Sequence, residues 1–430
     1  MMMPPPRAAD SALPLSVPLR FFLTAPAFAL LAAAVIAAAG PAAAASRWTP
    51  ATLAATHLMT LGFVTMTAAG ALLQILPVAA GATVARGRLV AGVAHVALTA
   101  GTLLLAWAFL GGIPLLALLA AAALPAGLGV YVAATARAIV RAPVATPTGV
   151  TVGFALASLA VAVLMGATLA VVPAPFAASP RPALVDLHLA WGFAGWIGLL
   201  VAGVAYQVVP MFGLTKPYPR LVHQGLAPTV VGALVSMSGA ALAADTAVGR
   251  FVHGLAGAGV LAAFGAFLLV TWKIQSDGRR RGDGATAAAW RLAMLALGAS
   301  LLGAGVSLVI EAGPARPIAV MAAVAFLFGF AFWMIAGMLY RIVPFLAWMD
   351  LQRVPVHTQP LPSARQLAPQ GSCHAHVWAH AAALALLVAA VGRPALALAA
   401  GVGFGISALW LELNLLWSVR LYRRAKLGNL

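Results

Sequence analysis

The sequence predicts an all-α membrane protein with about 12 transmembrane helices in three consecutive four-helix repeats. The first reason is composition, because 63% of the 430 residues are hydrophobic and only 8% are charged, against roughly a quarter charged in soluble proteins. The second is a series of apolar segments long enough to cross a bilayer. The third is a short motif that recurs three times at a nearly constant interval.

The composition also excludes several classes of protein. So few charges cannot cover the surface of a soluble fold, so lipid must be the main solvent of this chain. The single cysteine, Cys373, rules out an internal disulfide and a covalent haem attachment of the C-x-x-C-H type. The net charge of +17 is explained by topology, since Lys and Arg accumulate in cytoplasmic loops. We therefore expect a lipid bilayer, and no nucleic acid, as the partner.

A transmembrane helix needs about 20 apolar residues. Segments that qualify lie near 19–40, 50–78, 89–111, 113–136, 148–173, 184–213, 223–244, 250–274, 287–311, 316–348, 373–392 and 395–419. We interpret the first as a membrane helix rather than a cleaved signal peptide. Only the break from Gly111 to Pro114 separates the third segment from the fourth.

The distribution of charge supports this count. With the N-terminus inside, 20 of the 25 Lys and Arg residues fall on the inner side and five on the outer side. This bias predicts a multi-pass protein of the bacterial inner (cytoplasmic) membrane with both termini in the cytoplasm. Residues 1–430 then form one membrane domain, with a cytoplasmic tail at 1–18 and a proline-rich cytoplasmic loop at 351–372.

An internal repeat divides the helices into three groups. Each copy has a glycine, a polar residue four positions later and a proline seven positions later, at Gly70–Pro77, Gly203–Pro210 and Gly337–Pro344. The even spacing of the three copies along the chain gives repeats of about 19–141, 148–275 and 287–424. A Gly-Phe pair precedes each copy, and its glycines are Gly62, Gly192 and Gly329.

The motif has a structural and a functional interpretation. Its glycine permits the close approach of a neighbouring backbone or of a flat cofactor, and its proline kinks the helix. The polar residue is Gln74, Gln207 or Arg341, and its cost in lipid predicts that it faces the protein interior. Arg341 either pairs with an acidic group of a cofactor, such as a haem propionate, or extends to the membrane surface.

Two histidines begin repeat helices in similar contexts, His57-Leu-Met-Thr-Leu-Gly-Phe and His188-Leu-Ala-Trp-Gly-Phe. Histidine in a membrane helix is costly and usually functional. The distance from His57 to Pro77 along the chain places His57 in the outer half of its helix, about two turns below the surface. We predict that both bind a cofactor. A hydrogen-bonded core histidine is the alternative for His57, and an interfacial position is the alternative for His188.

Four further histidines are candidate metal ligands. His376 and His380 are four residues apart in the eleventh helix, so they share one helix face, a spacing that suits two ligands of one metal. The alternative is a polar helix cap in the headgroup zone. His95 and His223 occupy the third helix of their own repeats.

Other polar residues give weaker signals. We expect Glu311 and Glu412 to lie near helix ends, and the resulting scarcity of mid-membrane carboxylates disfavours a proton-coupled transporter. The sequence has no phosphate-binding loop, which disfavours an ATP-driven pump. His253, at an outer helix start, is a weaker cofactor candidate, and we expect His357, in the proline-rich loop, to be solvated.

Twelve helices in three groups, with histidines in the second and sixth, resemble subunit I of the haem-copper oxidases. The sequence is more similar to the NnrS family, haem- and copper-containing membrane proteins associated with nitric oxide metabolism. That family has a stretch H-E-M-x-x-G-F followed by G-F-L-L-x-x-x-P-x-x-x-G, which resembles the runs His57–Phe63 and Gly70–Gly81 here. Its M-x-x-R-V is similar to the run that begins Met338-Leu-Tyr-Arg341.

Several residues depart from the family pattern. Leu58 replaces the glutamate, and Pro344-Phe345 replaces Leu-Gly-His. The tenth helix has no histidine, and the seventh has no His-His pair in its outer half. The resemblance therefore implies a single haem or a rearranged metal site, rather than a binuclear centre that reduces oxygen or nitric oxide.

The resemblance implies an inner-membrane protein that binds haem b, with copper as a further metal, and that acts in nitric oxide, nitrogen-oxide or respiratory metabolism. Its partners would be membrane proteins of respiration or denitrification, and His57 and His188 would be the axial-ligand candidates. The alternatives are a multi-pass transporter of a small or metal-containing solute and a membrane scaffold without a cofactor.

Overall fold

The computed structural model describes residues 13–171, 182–278, 284–310, 317–353 and 361–427. Within these residues the regular structure is helical, and twelve helices are long and apolar enough to cross a membrane. The predicted all-α class and the count of twelve are therefore confirmed. Glu311, His357 and most of the predicted tail 1–18 lie outside the described residues.

We number the spanning helices α1 to α12 in chain order. They are Ser16–Ala39, Pro50–Ala80, Gly87–Gly111, Pro114–Val140, Pro147–Val171, Ala183–Gly213, Arg220–Ala243, Ala247–Ser276, Ala285–Val309, Pro317–Leu351, Gln370–Gly392 and Pro394–Lys426. The last helix extends well beyond its predicted end at residue 419. Hydropathy marks where the bilayer ends, whereas a helix can continue into polar residues such as Arg423 and Lys426.

The break between α3 and α4 lies where the sequence predicts it. Gly112 has a φ of 61°, a left-handed conformation that a residue with a side chain rarely adopts. Ile113 is extended, and Pro114 is the first residue of α4, a position at which its missing N–H costs nothing. Two separate helices therefore replace one long apolar run.

The described chain forms two compact units that do not follow the predicted repeat boundaries. The first unit consists mainly of 71–281 and 301–313, and the second of 14–70, 282–300 and 314–430. In the first unit α3 packs against α4, and α7 packs against α8. In the second unit α1 and α11 both pack against α12. Glycines allow close approach between α3 and α4, where Gly127 faces Ala97, and between α1 and α12, where Gly401 faces Ala37, as is common for helix association in lipid.

Helices α2, α6 and α10 each contain a π-helical segment. The segments are Leu58–Thr65, Trp191–Gly198 and Ala325–Ala331. Each of them begins twelve positions before the motif glycine of its own helix. π-Helical turns are rare and are frequent at functional sites. The same local distortion thus occurs three times, at the same position relative to the glycine–proline motif.

Glycines in these segments contact the preceding odd-numbered helix. A side chain at Gly62 would collide with Phe28 of α1, and a Cβ at Gly195 would lie 2.7 Å from Ser158 of α5. A Cβ at Gly329 would lie 2.7 Å from Ala296 of α9. Gly192 has open space around it, so Gly195, and not Gly192 as the Gly-Phe pairs suggest, is the positional counterpart of Gly62 and Gly329.

The motif glycines make the same kind of contact one or two turns further along. A Cβ at Gly70 would lie 2.7 Å from Phe21, a Cβ at Gly203 would lie 3.2 Å from Thr151, and a Cβ at Gly337 would lie 2.8 Å from Ala289. Each glycine therefore lets the side chain of a neighbouring helix approach its backbone, which agrees with the structural interpretation of the motif.

Candidate functional site

His57 is the last residue of the α-helical turns that begin α2, directly before the π-helical segment. These turns begin at Pro50, and Thr49 caps them by accepting a hydrogen bond from the Thr52 N–H. The imidazole is half-buried, and its Nδ1 lies 2.8 Å from the Leu53 carbonyl oxygen. A carbonyl can only accept, so Nδ1 carries the proton and the Nε2 atom carries the lone pair.

His188 has the same tautomer in the first unit. Its Nδ1 lies 2.9 Å from the carbonyl oxygen of Ala162 in α5, so Nδ1–H donates and Nε2 carries the lone pair. A Cβ at Gly166 would lie 3.0 Å from the His188 ring. The absence of a side chain at Gly166 therefore makes room for the imidazole against α5.

This arrangement is typical of histidines that bind a metal, in which the non-coordinating ring nitrogen donates to a carbonyl or a carboxylate. Both predicted cofactor ligands have it. The sequence left open whether a neighbouring helix or a flat cofactor fills the space beside the motif glycine, and at Gly70, as at Gly62, a helix fills it. Phe28 and Phe21 of α1 occupy that space, because two packed helices fill the gap left by the missing side chains.

His376 and His380 of α11 are fully buried in the second unit, each with 0% exposure. A helix cap in the headgroup zone is therefore excluded for this pair. Phe332 stacks on the His380 ring with centroids 4.0 Å apart and planes 18° apart. The four ring nitrogens of the two histidines all lie within hydrogen-bonding distance of other groups.

These groups form one continuous series of hydrogen bonds, which we call the polar chain. It consists of Trp410, Ser372, Asn414, Tyr340, His376, Ser407, His380 and the carbonyl of Phe328. Its members come from α10, α11 and α12, so the polar chain connects three helices of the second unit.

The two ends of the polar chain set its direction. The indole Nε1 of Trp410 can only donate, and it lies 2.8 Å from Ser372 Oγ. Ser372 then donates to Asn414 Oδ1 at 2.7 Å, and Asn414 Nδ2 donates to the Tyr340 hydroxyl at 3.0 Å. Tyr340 in turn donates to His376 Nδ1 at 2.8 Å.

The other half continues in the same direction. His376 Nε2 donates to Ser407 Oγ at 3.0 Å, and Ser407 donates to His380 Nδ1 at 2.8 Å. His380 Nε2 donates to the Phe328 carbonyl at 2.8 Å. With both imidazoles neutral, every link has one donor and one acceptor. A metal at this pair would have to replace some of these hydrogen bonds.

The structure also locates the other predicted histidines. His95 in α3 and His223 in α7 are half-buried in the first unit, and the His223 ring packs edge-on against Tyr206 with centroids 6.2 Å apart. His253 is half-buried near the start of α8, and His374 is exposed and accepts from Trp378 Nε1 at 3.2 Å. Within the described ranges, no three His, Cys, Asp or Glu side chains gather as a metal-ligand set.

The polar residues of the repeat motif differ in their environments. Gln74 and Gln207 are half-buried, and the buried Gln74 Nε2 atom has no hydrogen-bond partner within the described ranges. Arg341 is exposed, so the expectation that it faces the interior is wrong. It lies ten residues before the end of α10 at Leu351, where a long cationic side chain can extend along the helix towards water.

Glu412 also differs from expectation. It lies in the middle of the 30-residue helix Ala397–Lys426, and not near a helix end. Its Oε2 atom is buried and has no hydrogen-bond partner among the residues that the structure describes. The apolar pattern ends near residue 419, so the sequence predicted a helix end closer to Glu412 than the observed end at Lys426.

Of the residues in the polar chain, the sequence predicted only His376 and His380 as site residues. Ser407 and Asn414 are seven residues apart, on one face of an apolar helix, and this spacing was the available signal for a buried polar stripe. Tyr340 has no such spacing signal. It lies inside the Gly337–Pro344 motif, in which the sequence singles out the glycine, the polar residue and the proline.

No model of a known protein family matches the chain, and no curated protein matches it in sequence.

Proposed function

We propose that this chain is a haem-binding protein of the bacterial inner membrane, similar to the NnrS family, with both termini in the cytoplasm. In this proposal it binds haem b and acts in nitric oxide, nitrogen-oxide or respiratory metabolism beside membrane partners of respiration or denitrification. His57 would hold the haem iron, and His188 is the alternative candidate for that role. Arg341 is the candidate partner for an acidic group of the cofactor.

One observation carries the proposal. The Nδ1–H of His57 donates to the Leu53 carbonyl at 2.8 Å, so the ring is held by the nitrogen that would not bind iron, and the lone pair is on Nε2. His188 repeats the arrangement with Ala162 at 2.9 Å. The residues therefore fit haem ligation in their tautomer.

The fold proposal is that the twelve helices form three four-helix repeats, like subunit I of the haem-copper oxidases. The π-helical segments support it, because each begins twelve positions before its motif glycine. The glycine contacts support it independently. In α2, α6 and α10 alike, the motif glycine packs against the helix that precedes it, which is α1, α5 or α9.

The chain's own residues position each candidate ligand separately, His57 in the second unit and His188 in the first. The Leu53 and Ala162 carbonyls orient the two imidazoles and, by accepting from Nδ1, increase the basicity of Nε2. Phe28 packs beside the π-helical segment at Gly62. Haem iron would supply redox chemistry or binding of a diatomic gas. A second metal such as copper, for which His376, His380, His95 and His223 are the candidates, stays a prediction.

The test is the optical spectrum of the purified protein. We expect a Soret band that is abolished or strongly shifted in His57→Ala, because the imidazole that would bind iron is lost. The matched control is His374→Ala, which removes an exposed histidine of α11 and should leave the spectrum unchanged.

The variants also separate the alternatives. If His57→Ala accumulates in the membrane with an unchanged Soret band, His57 is not a ligand, and the same measurement on His188→Ala tests the second candidate. A wild-type protein that is colourless after expression with added haem precursor would contradict haem binding. It would leave the transporter and the cofactor-free scaffold.

A further inference from the structure

We propose that Glu412 is a proton-binding site inside the membrane, independent of the haem proposed above. Glu412 lies seven residues before residue 419, where the apolar segment of α12 ends, which places it about 10 Å from that end along the helix. Among the described residues, its buried Oε2 atom has no hydrogen-bond partner. A carboxyl group within the apolar part of a membrane helix is rare and is usually functional.

The carboxyl group lies on the face of α12 that packs against α1. Gly401 and Gly405 precede Glu412 by about three and about two helical turns, which places all three on one helix face. A Cβ at Gly401 would lie 2.5 Å from the Ala37 nitrogen, and a Cβ at Gly405 would lie 3.5 Å from the Ala33 Cβ. These close contacts bring α1 against the helix and restrict water around Glu412.

The remaining side of Glu412 borders lipid. Leu409 and Leu413, three residues before and one residue after it, are 46% and 54% exposed on the apolar outer surface of α12. Glu412 itself is partly buried. Its surroundings are therefore packed helix on one side and hydrocarbon on the other.

In the part of α1 that the structure describes, no charged group compensates a carboxylate at Glu412. The one titratable side chain of this helix is Arg20. The contacts of Gly401 with Ala37 and of Gly405 with Ala33 set a register that places Arg20 beside Ser418, six residues from Glu412. Cα–Cβ bonds tilt towards the N-terminus of each helix, so in this antiparallel pair the two side chains lean away from each other.

The other helices packed against α12 are α10, α11 and the short helix Pro41–Ala45, which has no titratable side chain. The titratable side chains in the contacting parts of α10 and α11 are Tyr340, Arg341, Asp350, Cys373, His374, His376 and His380. Tyr340, His376 and His380 belong to the polar chain, and Asp350 accepts from Tyr422 and Lys426 at 2.6 and 3.1 Å. Among the described residues, none of these groups forms an ion pair with Glu412.

An ionised carboxylate without a partner is very costly in an apolar environment, whereas the neutral acid is tolerated. The ligand of the site is therefore a proton taken from water, which forms an O–H bond on the carboxylate and removes its charge. Because Glu412 lies at the contact with α1, gain or loss of this proton changes the charge of the α1–α12 interface.

The test uses a hydrophobic carbodiimide, which reacts with protonated carboxyl groups in apolar surroundings. The purified full-length protein in phosphatidylcholine nanodiscs is labelled in sodium chloride or in choline chloride at equal concentration, and the labelled residue is mapped by mass spectrometry. We expect labelling of Glu412 in both salts, no labelling of Asp350, and loss of the label in Glu412→Gln.

Asp350 is the internal control, because it is paired with Tyr422 and Lys426. An unlabelled Glu412 in the wild-type protein would overturn the proposal. Labelling in choline chloride but not in sodium chloride would also overturn it, because the ligand would then be a metal cation and not a proton. The readout does not depend on haem, so it distinguishes failure of this proposal from failure of the haem proposal.

Discussion

His57 and His188 each donate Nδ1–H to a backbone carbonyl, whereas His376 and His380 use both ring nitrogens in a chain of side-chain hydrogen bonds. The two pairs therefore differ in their hydrogen bonds. In His57 and His188, the bond to the carbonyl fixes the neutral tautomer with the lone pair on Nε2. In His376 and His380, the lone pair of each ring accepts a hydrogen bond from a hydroxyl group. The i,i+4 spacing of His376 and His380 is thus compatible with two arrangements, since the same helix face can present both rings to a metal or to hydroxyl groups.

The largest effect should come from removing both histidines of the polar chain. In His376→Ala/His380→Ala, the Ser407 hydroxyl loses both partners, the Tyr340 hydroxyl loses its acceptor, and the Phe328 carbonyl loses the His380 donor. Two cavities also form. We expect the free energy of unfolding to fall by about 3–5 kcal/mol, measured by denaturant titration in detergent. His374→Ala is the control and should change it little, since that side chain is exposed.

The same double variant tests the metal prediction. The hydrogen bonds predict unchanged copper and zinc content by elemental analysis, whereas chelation by His376 and His380 predicts its loss. If the double variant loses metal but keeps its stability, the hydrogen bonds of the polar chain are not what holds these two histidines. His376 and His380 would then be candidate ligands, like His57 and His188.

A smaller effect is expected for Ser407→Ala. Ser407 is the link between the two histidines, at 3.0 Å from His376 Nε2 and 2.8 Å from His380 Nδ1. Its removal leaves one donor and one acceptor unpaired, so we expect a loss of about 1–3 kcal/mol. Ser236→Ala is the matched control, because Ser236 is exposed and bonds only to its own helix through Gly232.

The smallest effect is expected at the end of the polar chain. Trp410→Phe removes the indole donor to Ser372 but keeps an aromatic ring, and the Ser372 hydroxyl still bonds Asn414. We expect a loss of about 0.5–1.5 kcal/mol, against no measurable change for Trp378→Phe on the exposed face of α11. If Trp410→Phe and Ser407→Ala lower the free energy of unfolding equally, a residue's position in the polar chain does not determine its contribution to stability.

Part of the site followed from the sequence. His57 is the eighth residue of Pro50–His57, about two turns from the start of α2, while its depth below the membrane surface stays a prediction. Glu412 was misplaced, because hydropathy detects the bilayer boundary and not the helix end. For Arg341, the exposed position agrees with the alternative that its side chain extends towards the membrane surface, and not with an interior position.

The sequence by itself determined the solvent, the twelve helices and the positions of the motif, because hydropathy over about 20 residues, glycine conformation and proline chemistry act within a short stretch of chain. Tertiary structure alone decided which polar groups meet. Ser407 reaches His380 across 27 residues, and Asn414 reaches Tyr340 across 74. In lipid each buried donor must find an acceptor in another helix or in its own backbone, and that choice depends on helix packing, which local sequence does not specify.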